Sequence, residues 1–308
     1  MQHMYIDECK GSNQSFYLLT HIYGDEKDFK SFCEDIAAIN RANPTLTGTH
    51  FTGIHAKDIN DGNISSKGRL VELWLDKFEE YVLANRIKCF ITIQSREKKR
   101  KNSDLVAPKV ISFIENEKAR KMCPPLAEVD DQGKRDIAAC VHQIWFLGCR
   151  SDKIDVDELI VFPDQIGKII EDIDEHAAET YDIPLRGAVT YKGVINIVLN
   201  SVLHSIRVCF EQKHKISING FEPQQDQSSI PIQICDILGN YIFHSIRAKK
   251  MNPKSISTYK LGVLESRFNL KQCLDDYSKN FYLNDKQELE CGNDKDVMCV
   301  EIKSVEIA

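Results

Sequence analysis

Three aspartates lie at positions where a carboxylate could take part in chemistry. Asp7 and Asp164 each follow a short segment of strand-forming residues, and Asp236 lies within an apolar helical segment. Carboxylates at the ends of strands point toward the crevice in which open α/β sheets bind ligands. A charged residue on an apolar helix face is rarely buried without a partner, so Asp236 is predicted to have a functional role.

Converging carboxylates predict a divalent cation. Three or four of them in one place repel one another unless a cation neutralises their charge. Oxygen ligands favour Mg²⁺ or Mn²⁺, and two such ions can hold the attacking and leaving oxygens of a phosphodiester. The acids therefore predict the chemistry of a metal-dependent nuclease. For Asp164 taken alone the alternative is a helix N-cap, because a helical segment follows it.

A run of basic residues follows the predicted strand 86–93. Residues 96–101 hold five basic side chains and one acidic side chain, which gives a local charge of +4. Such a run predicts sequence-independent contact with the phosphate backbone of a nucleic acid, and a solvated loop is the alternative. The candidate contact residues are Arg96, Lys98, Lys99, Arg100 and Lys101.

The elements that must position these residues are strands interspersed with helices. The spacing of apolar residues predicts strands at 3–7, 15–22, 86–93, 158–162 and 215–221, and helices at 25–40, 67–85, 136–147, 166–181, 194–210 and 231–247. Residues 43–48 are predicted to form a loop. After Met251 we expect a helix near 260–277 and a strand within 297–302. This order indicates an α/β fold with a mixed β-sheet flanked by helices.

Composition narrows the class of protein. The chain has 308 residues, 42% hydrophobic and 28% charged, which is typical of a globular protein. The net charge of −6 argues against a general nucleic-acid coat but allows a local basic groove. The 11 cysteines include no CxxC pair, so we expect reduced thiols, not zinc sites or disulfides. No apolar run is long enough to cross a bilayer, and Asp7 and Glu8 interrupt any signal segment, which predicts a cytoplasmic location.

Four segments resemble the motifs of one family, in the same order along the chain. Tyr5-Ile6-Asp7-Glu8 resembles an opening Asp-Glu-Ser-Gly, and Gly53-Ile54-His55-Ala56 resembles a Leu-His motif after the first helix. Residues 159–164 are similar to an apolar strand that ends in Asp. Residues 226–238 resemble the signature Ser-Lys-Ser-Ser…Leu-Gln-Leu-Ala-Asp-Leu. Across residues 4–247 the chain thus resembles the domain-of-unknown-function family 3800.

The resemblance implies a ribonuclease-H-like domain at residues 1–250, followed by a C-terminal extension at 251–308. It also implies a nuclease centre that holds Mg²⁺ or Mn²⁺ and acts on RNA or DNA. In that centre His55 would position a phosphate or move a proton, and Ser229 and Gln233 would shape the site. The implied metal ligands are Asp7, Asp164 and Asp236, with Glu8 as a fourth.

Two departures from the family pattern support an alternative. Cys9 and Lys10 replace Ser-Gly after the acidic pair, and Gln227 replaces a lysine that could contact phosphate. These differences favour a binding module for nucleic acid or protein whose centre is catalytically weak or inactive. A third hypothesis is a subunit of a host-defence or toxin-like assembly, in which the segment after Met251 binds a protein partner or a second copy of the chain.

Overall fold

The computed structural model describes residues 1–10, 16–48, 51, 53–95, 108, 111–112, 114–122, 127, 131, 134, 154, 156–164, 217–221, 224, 229–250, 255–268, 281–283, 289–291 and 298–302. The chain forms two compact units, Met1–Lys98 with Gln224–Ala308, and Lys99–Pro223. The helices predicted at 136–147, 166–181 and 194–210 lie outside the described residues, as do the basic residues at 96–101.

The helices and strands are numbered here in chain order. They are β1 (Gln2–Lys10), β2 (Phe16–Asp25), α1 (Glu26–Ala42), α2 (Pro44–Thr47), α3 (Arg69–Leu83), β3 (Ile87–Ser95), α4 (Glu117–Met122), β4 (Glu158–Pro163), β5 (Ser217–Phe221), α5 (Ile230–Lys250), α6 (Ser255–Glu265), β6 (Phe281–Leu283), β7 (Leu289–Cys291) and β8 (Met298–Ile302). A 3₁₀ turn at Ala56–Asp58 and a π-helical turn at Ile64–Gly68 precede α3.

The sheet of the first unit is antiparallel, with β2 between β1 and β3 and with β8 on the far side of β3. The predicted hairpin of β1 and β2 is confirmed. Asp7 lies opposite Thr20, and Thr20 lies opposite Ile91. Residues directly opposite each other in an antiparallel pair project from the same face, so these three side chains share one face of the sheet.

Helices α1 and α3 pack against each other through aromatic side chains. Phe32 of α1 makes edge-on contacts with Phe78 and Tyr81 of α3, at ring-centroid distances of 6.0 and 5.4 Å. Trp74 is almost fully buried and donates its indole N–H to Asn40 at 2.9 Å. The helical spacing of apolar residues predicted both helices, and both are confirmed.

The loop predicted at 43–48 is wrong in part, because α2 occupies most of it. Pro44 stands at the first helical position, where its missing N–H is not needed and its fixed φ angle suits a helix. The carbonyl of Asn43 accepts hydrogen bonds from the N–H groups of Leu46 and Thr47, at 3.0 and 3.2 Å. Proline is common in loops, and it also favours the first turn of a helix, which is where Pro44 lies.

Helix α5 lies close against β1 and β2. Thirteen of its 21 residues are buried, so its apolar surface extends around most of the helix. Gly239 permits the close approach, because a Cβ atom there would lie 2.9 Å from Thr20 Oγ1 and 3.1 Å from Cys9 Cβ. One turn earlier the Cys235 thiol donates to the carbonyl of Tyr5 at 3.6 Å. Helix α5 therefore covers the face of the sheet that carries Asp7 and Thr20.

The segment after Met251 contributes helix α6 and strands β6, β7 and β8 to the first unit. Helix α6 packs on α5, and Lys249 of α5 pairs with Glu265 of α6 at 3.1 Å. Arg267, two residues after the end of α6, pairs with Asp76 of α3 at 2.5 Å. The helix begins at Ser255 and ends at Glu265, so the predicted bounds 260–277 are wrong at the start, and a turn at residues 266–267 interrupts the predicted helix. The predicted strand at 297–302 is confirmed as β8, which pairs with β3.

In the second unit β4 and β5 form a parallel pair, with a register shift between Leu159 and Ile160. Both strands were predicted. Parallel and antiparallel pairing therefore both occur, and helices accompany the strands, so the predicted α/β class with strands of mixed direction is confirmed. The ribonuclease-H-like identity of this fold remains a prediction.

Two predictions from composition concern thiols and membranes. In the described part of the chain, four cysteines are seen to form no disulfide, namely Cys9, Cys33, Cys89 and Cys235. Among the described helices none combines the length and the apolar character that a bilayer span requires.

Buried His21 makes the stability of the fold sensitive to acid. Its ring is fully buried and stacks on Phe90 at a centroid distance of 4.3 Å. Burial lowers the pKa of His21 to about 3 from its usual 6.5. Between these values the unfolded chain binds the additional proton, so stability falls as pH falls from about 6.5 toward 3, by about 1.4 kcal/mol per pH unit. Urea unfolding at pH 7, 6, 5 and 4 should show a shallower decline for His21→Leu than for the parent, and equal slopes would contradict this assignment.

Candidate functional site

Asp7 lies in the middle of β1, because the strand continues to Lys10, so the prediction that Asp7 ends the strand is wrong. Its side chain is almost fully buried. Only 6% of the residue is exposed, and its Oδ1 accepts a hydrogen bond from the N–H of Glu8 at 2.7 Å. Side chains alternate between the faces of a strand. Cys9 therefore shares the face of Asp7, and both face α5.

Asp236 joins Asp7 on this side of the sheet. It precedes Gly239 by three residues, which places it on nearly the same side of α5 as the glycine that approaches Thr20 and Cys9. The pKa of the Cys9 thiol is raised, first by burial and then by the negative charges of Asp236 and Asp7. Both carboxylates therefore lie within electrostatic reach of one buried thiol, and the raised pKa keeps that thiol protonated.

Polar residues recur along one side of α5 at the helical repeat. Gln233 and Asp236 are separated by three residues, and Asn240 follows four residues later, in a helix that is otherwise mostly buried and apolar. Ser229 directly precedes α5, four residues before Gln233, and is 6% exposed. We call Ser229, Gln233, Asp236 and Asn240 the polar stripe of α5.

The polar stripe binds the backbone on both sides of His55. Gln233 Oε1 accepts the N–H of Ile54 at 2.9 Å, and Asp236 Oδ2 accepts the N–H of Ala56 at 2.8 Å. Gly53 has a φ angle of 140°, a conformation that favours glycine, and passes directly over the Gln233 amide. His55 is therefore held next to Asp236 through its two neighbours, and its own side chain is half-buried.

Lys260 of α6 completes this arrangement and was not predicted. It is 1% exposed, and its ammonium donates to the carbonyl of Ala56 at 3.1 Å and to Asn240 Oδ1 at 2.6 Å. Burial lowers its pKa to about 8, although the charge of Asp236 acts in the opposite direction. Helix α6 has as many polar as apolar residues, so Lys260 does not stand out in the sequence as Asp236 does within the apolar run of α5.

Glu8 and Asp164 are the other two predicted metal ligands. Glu8 lies opposite Leu19, on the other face of β1 from Asp7, where its carboxylate accepts a hydrogen bond from Tyr17. The structure therefore does not bring Glu8 together with Asp7. Asp164 is half-buried at the end of β4 in the second unit, and its convergence with Asp7 remains a prediction.

The donor set bears on the predicted metal. Within the described ranges, no three His, Cys, Asp or Glu side chains form a group that could hold a metal ion. The pair of Asp7 and Asp236 supplies two oxygen ligands. Mg²⁺ is commonly bound by one or two carboxylates, with water and substrate phosphates completing its coordination. The carboxylate pair therefore fits such an ion chemically.

The chain matches no protein-family model, none of the curated proteins and none of the solved structures. The resemblance to family 3800 therefore rests on the four motifs and remains a prediction. Two hydrogen bonds connect residues of these motifs in the structure, from Ile54 to Gln233 and from Ala56 to Asp236.

Gly53 should tolerate a side chain poorly. A Cβ atom there would lie 2.7 Å from the Gln233 amide nitrogen, and its φ angle of 140° is strained for any other residue. We expect Gly53→Ala to destabilise the fold by about 1–3 kcal/mol in urea unfolding. Gly262→Ala is the matched control, because it lies within α6 with open space at its Cβ position, and it should be neutral or stabilising. Equal effects of the two substitutions would contradict the close contact.

Proposed function

We propose that the protein is a metal-dependent nuclease that hydrolyses phosphodiester bonds in RNA or DNA with Mg²⁺ or Mn²⁺. The observation that carries the proposal is the packing of α5 at Gly239 on Thr20 and Cys9, which supports a common location for Asp236 and Asp7 on one side of the sheet, although they come from distant parts of the chain. In this proposal Asp7 and Asp236 hold the cation. The cation would supply positive charge to stabilise the oxygens of the reacting phosphodiester.

The residues around the carboxylates have distinct tasks in this proposal. The N–H of Glu8 orients Asp7, and the N–H of Ala56 orients Asp236. Orientation by such hydrogen bonds fixes ligands before a cation or substrate arrives. His55, held between two bonded neighbours, would bind a phosphate oxygen or transfer a proton. Because Asp7 is buried, its carboxylate has surroundings less polar than water, which strengthens its attraction to the proposed cation.

A nucleic-acid substrate requires local positive charge, because the net charge of the chain is −6. The basic residues after β3 supply it in this proposal, by sequence-independent contact with the backbone phosphates. These residues lie outside the described residues, so the contact remains a prediction. They are Arg96, Lys98, Lys99, Arg100 and Lys101.

Neutralising either carboxylate should abolish cleavage and leave the fold intact. Asn keeps the size of Asp and an oxygen that can accept the N–H of Ala56, so Asp236→Asn should fold. We expect Asp7→Asn and Asp236→Asn each to lower the rate at least about 100-fold, because the charge that holds the cation is lost. The measurement is cleavage of labelled single-stranded RNA and DNA with Mg²⁺ or Mn²⁺, alongside thermal unfolding.

Asp35→Asn is the control for this experiment. Its carboxylate accepts a hydrogen bond from Tyr81 at 3.0 Å, on α1, and has no role in the proposed site. It should retain the parental cleavage rate. The nuclease assignment fails if the double variant of Asp7 and Asp236 cuts as fast as the parent.

A second candidate function is a binding module without catalysis. One observation favours it, since the ammonium of Lys260 already lies within electrostatic reach of Asp236 and compensates its charge without a cation. A module of this kind would bind nucleic acid or a protein partner as a subunit of a defence or toxin-like assembly. Replacement of the family lysine by Gln227 is in line with it.

Calorimetry with Mn²⁺ separates the two candidates. A nuclease should bind Mn²⁺ with a dissociation constant on the order of a millimolar or tighter, and Asp236→Asn should lose this binding. A binding module should show no Mn²⁺ heat while still retaining a nucleic acid or protein ligand. Saturable Mn²⁺ binding that is unchanged in Asp236→Asn would contradict the proposed site.

A further inference from the structure

Lys260 presents a buried positive charge that the proposed reaction does not use. Its ammonium lies inside the first unit and contacts protein atoms at the Ala56 carbonyl, the Asn240 amide oxygen and the ring of Tyr241, whose centroid is 5.2 Å away. These partners are all neutral. A buried ammonium is costly unless a negative charge lies nearby.

Asp236 is the acid that meets this requirement. Its carboxylate accepts the N–H of Ala56 at 2.8 Å, and Lys260 donates to the carbonyl of the same residue at 3.1 Å. Asp236 and Lys260 thus bind the two ends of one residue's backbone. Asp236 is also the acid whose charge acts on Lys260 in opposition to burial.

Asn240 fixes the position of the ammonium. It lies one helical turn after Asp236 on the polar stripe and accepts a hydrogen bond from Lys260 at 2.6 Å. Helix α6 thus places the Lys260 ammonium at the same side of α5 that carries Asp236. The side chain reaches that position from a helix 20 residues further along the chain.

We propose that Lys260 is a built-in counter-ion of Asp236, which stabilises the carboxylate in the cation-free protein, opposes the binding of a divalent cation and holds the backbone next to His55. The proposal rests on the proposed function for the identity of the cation. It makes Lys260 a positioning residue that sets the affinity of the site. It also makes α6 part of the site, although α6 follows every motif of the family resemblance.

Removing the charge of Lys260 should therefore tighten cation binding. We expect full-length Lys260→Met and Lys260→Gln to bind Mn²⁺ about tenfold more tightly than the parent in calorimetry, since one like charge beside the cation is lost. Lys260→Arg keeps the charge and should bind as the parent does. Lys249→Met is the matched control, because it removes a lysine of α5 that pairs with Glu265, and it should leave the affinity unchanged.

An increase in Mn²⁺ affinity distinguishes a counter-ion from a residue that only supports the fold, because loss of the latter would weaken binding. Hydrogen exchange of the Ala56 amide adds a measurement that needs no metal. Exchange should accelerate in Lys260→Met, which lacks a donor for the Ala56 carbonyl, and less in Lys260→Gln, which can still donate. Gln also provides a second neutral variant if Met unfolds the chain.

Each outcome decides between the inference and the proposed function. If the parent binds Mn²⁺ and both neutral variants bind it equally or more weakly, the counter-ion role is wrong and the nuclease proposal stands. If the parent binds none and the neutral variants do, Lys260 excludes the ion, which supports the inference and contradicts the nuclease proposal for the parent. If neither parent nor variants bind Mn²⁺, both are overturned.

Discussion

A carboxylate on a helix that packs along a sheet is stabilised by hydrogen-bond and charge partners from the protein. Asp236 is half-buried on a helix most of whose residues are buried. Its partners come from two other parts of the chain, the N–H of Ala56 and the charge of Lys260. The need to compensate one charge therefore connects the 3₁₀ turn at Ala56–Asp58, α5 and α6. Loss of any of these elements would expose or isolate Asp236.

The polar stripe shows why the backbone near His55 has its irregular path. Residues 53–56 form no strand or regular α-helix, so their N–H groups need other acceptors. Gln233 and Asp236 provide those acceptors for Ile54 and Ala56. Two N–H groups of this loop are therefore held by side chains of α5, and the histidine between them has a defined position without belonging to a helix or strand.

Local patterns in the sequence predicted most of the first unit. Strand-forming residues separated by turn residues predicted β1 and β2, helical spacing predicted α1, α3 and α5, and an acid within an apolar run identified Asp236. Alternation implies that Asp7 and Glu8 face opposite sides of β1, which the interpretation of the acidic pair did not take into account. Lys260 depends on contacts 20 and 204 residues away, and local spacing carries no information at that range. The same holds for the pairing of β8 with β3.

The formal charges of Asp7, Asp236 and Lys260 connect the proposed cation to the proposed substrate. With both carboxylates ionised and Lys260 protonated, the group of Asp7, Asp236 and Lys260 has a formal net charge of −1 without a cation. That charge repels a phosphodiester, which is itself an anion. One divalent cation changes the net charge to +1, which attracts a phosphodiester and is balanced by it. A nucleic acid would therefore approach Asp236 only when a cation is bound, whereas a module that never binds one would have to contact nucleic acid elsewhere on its surface.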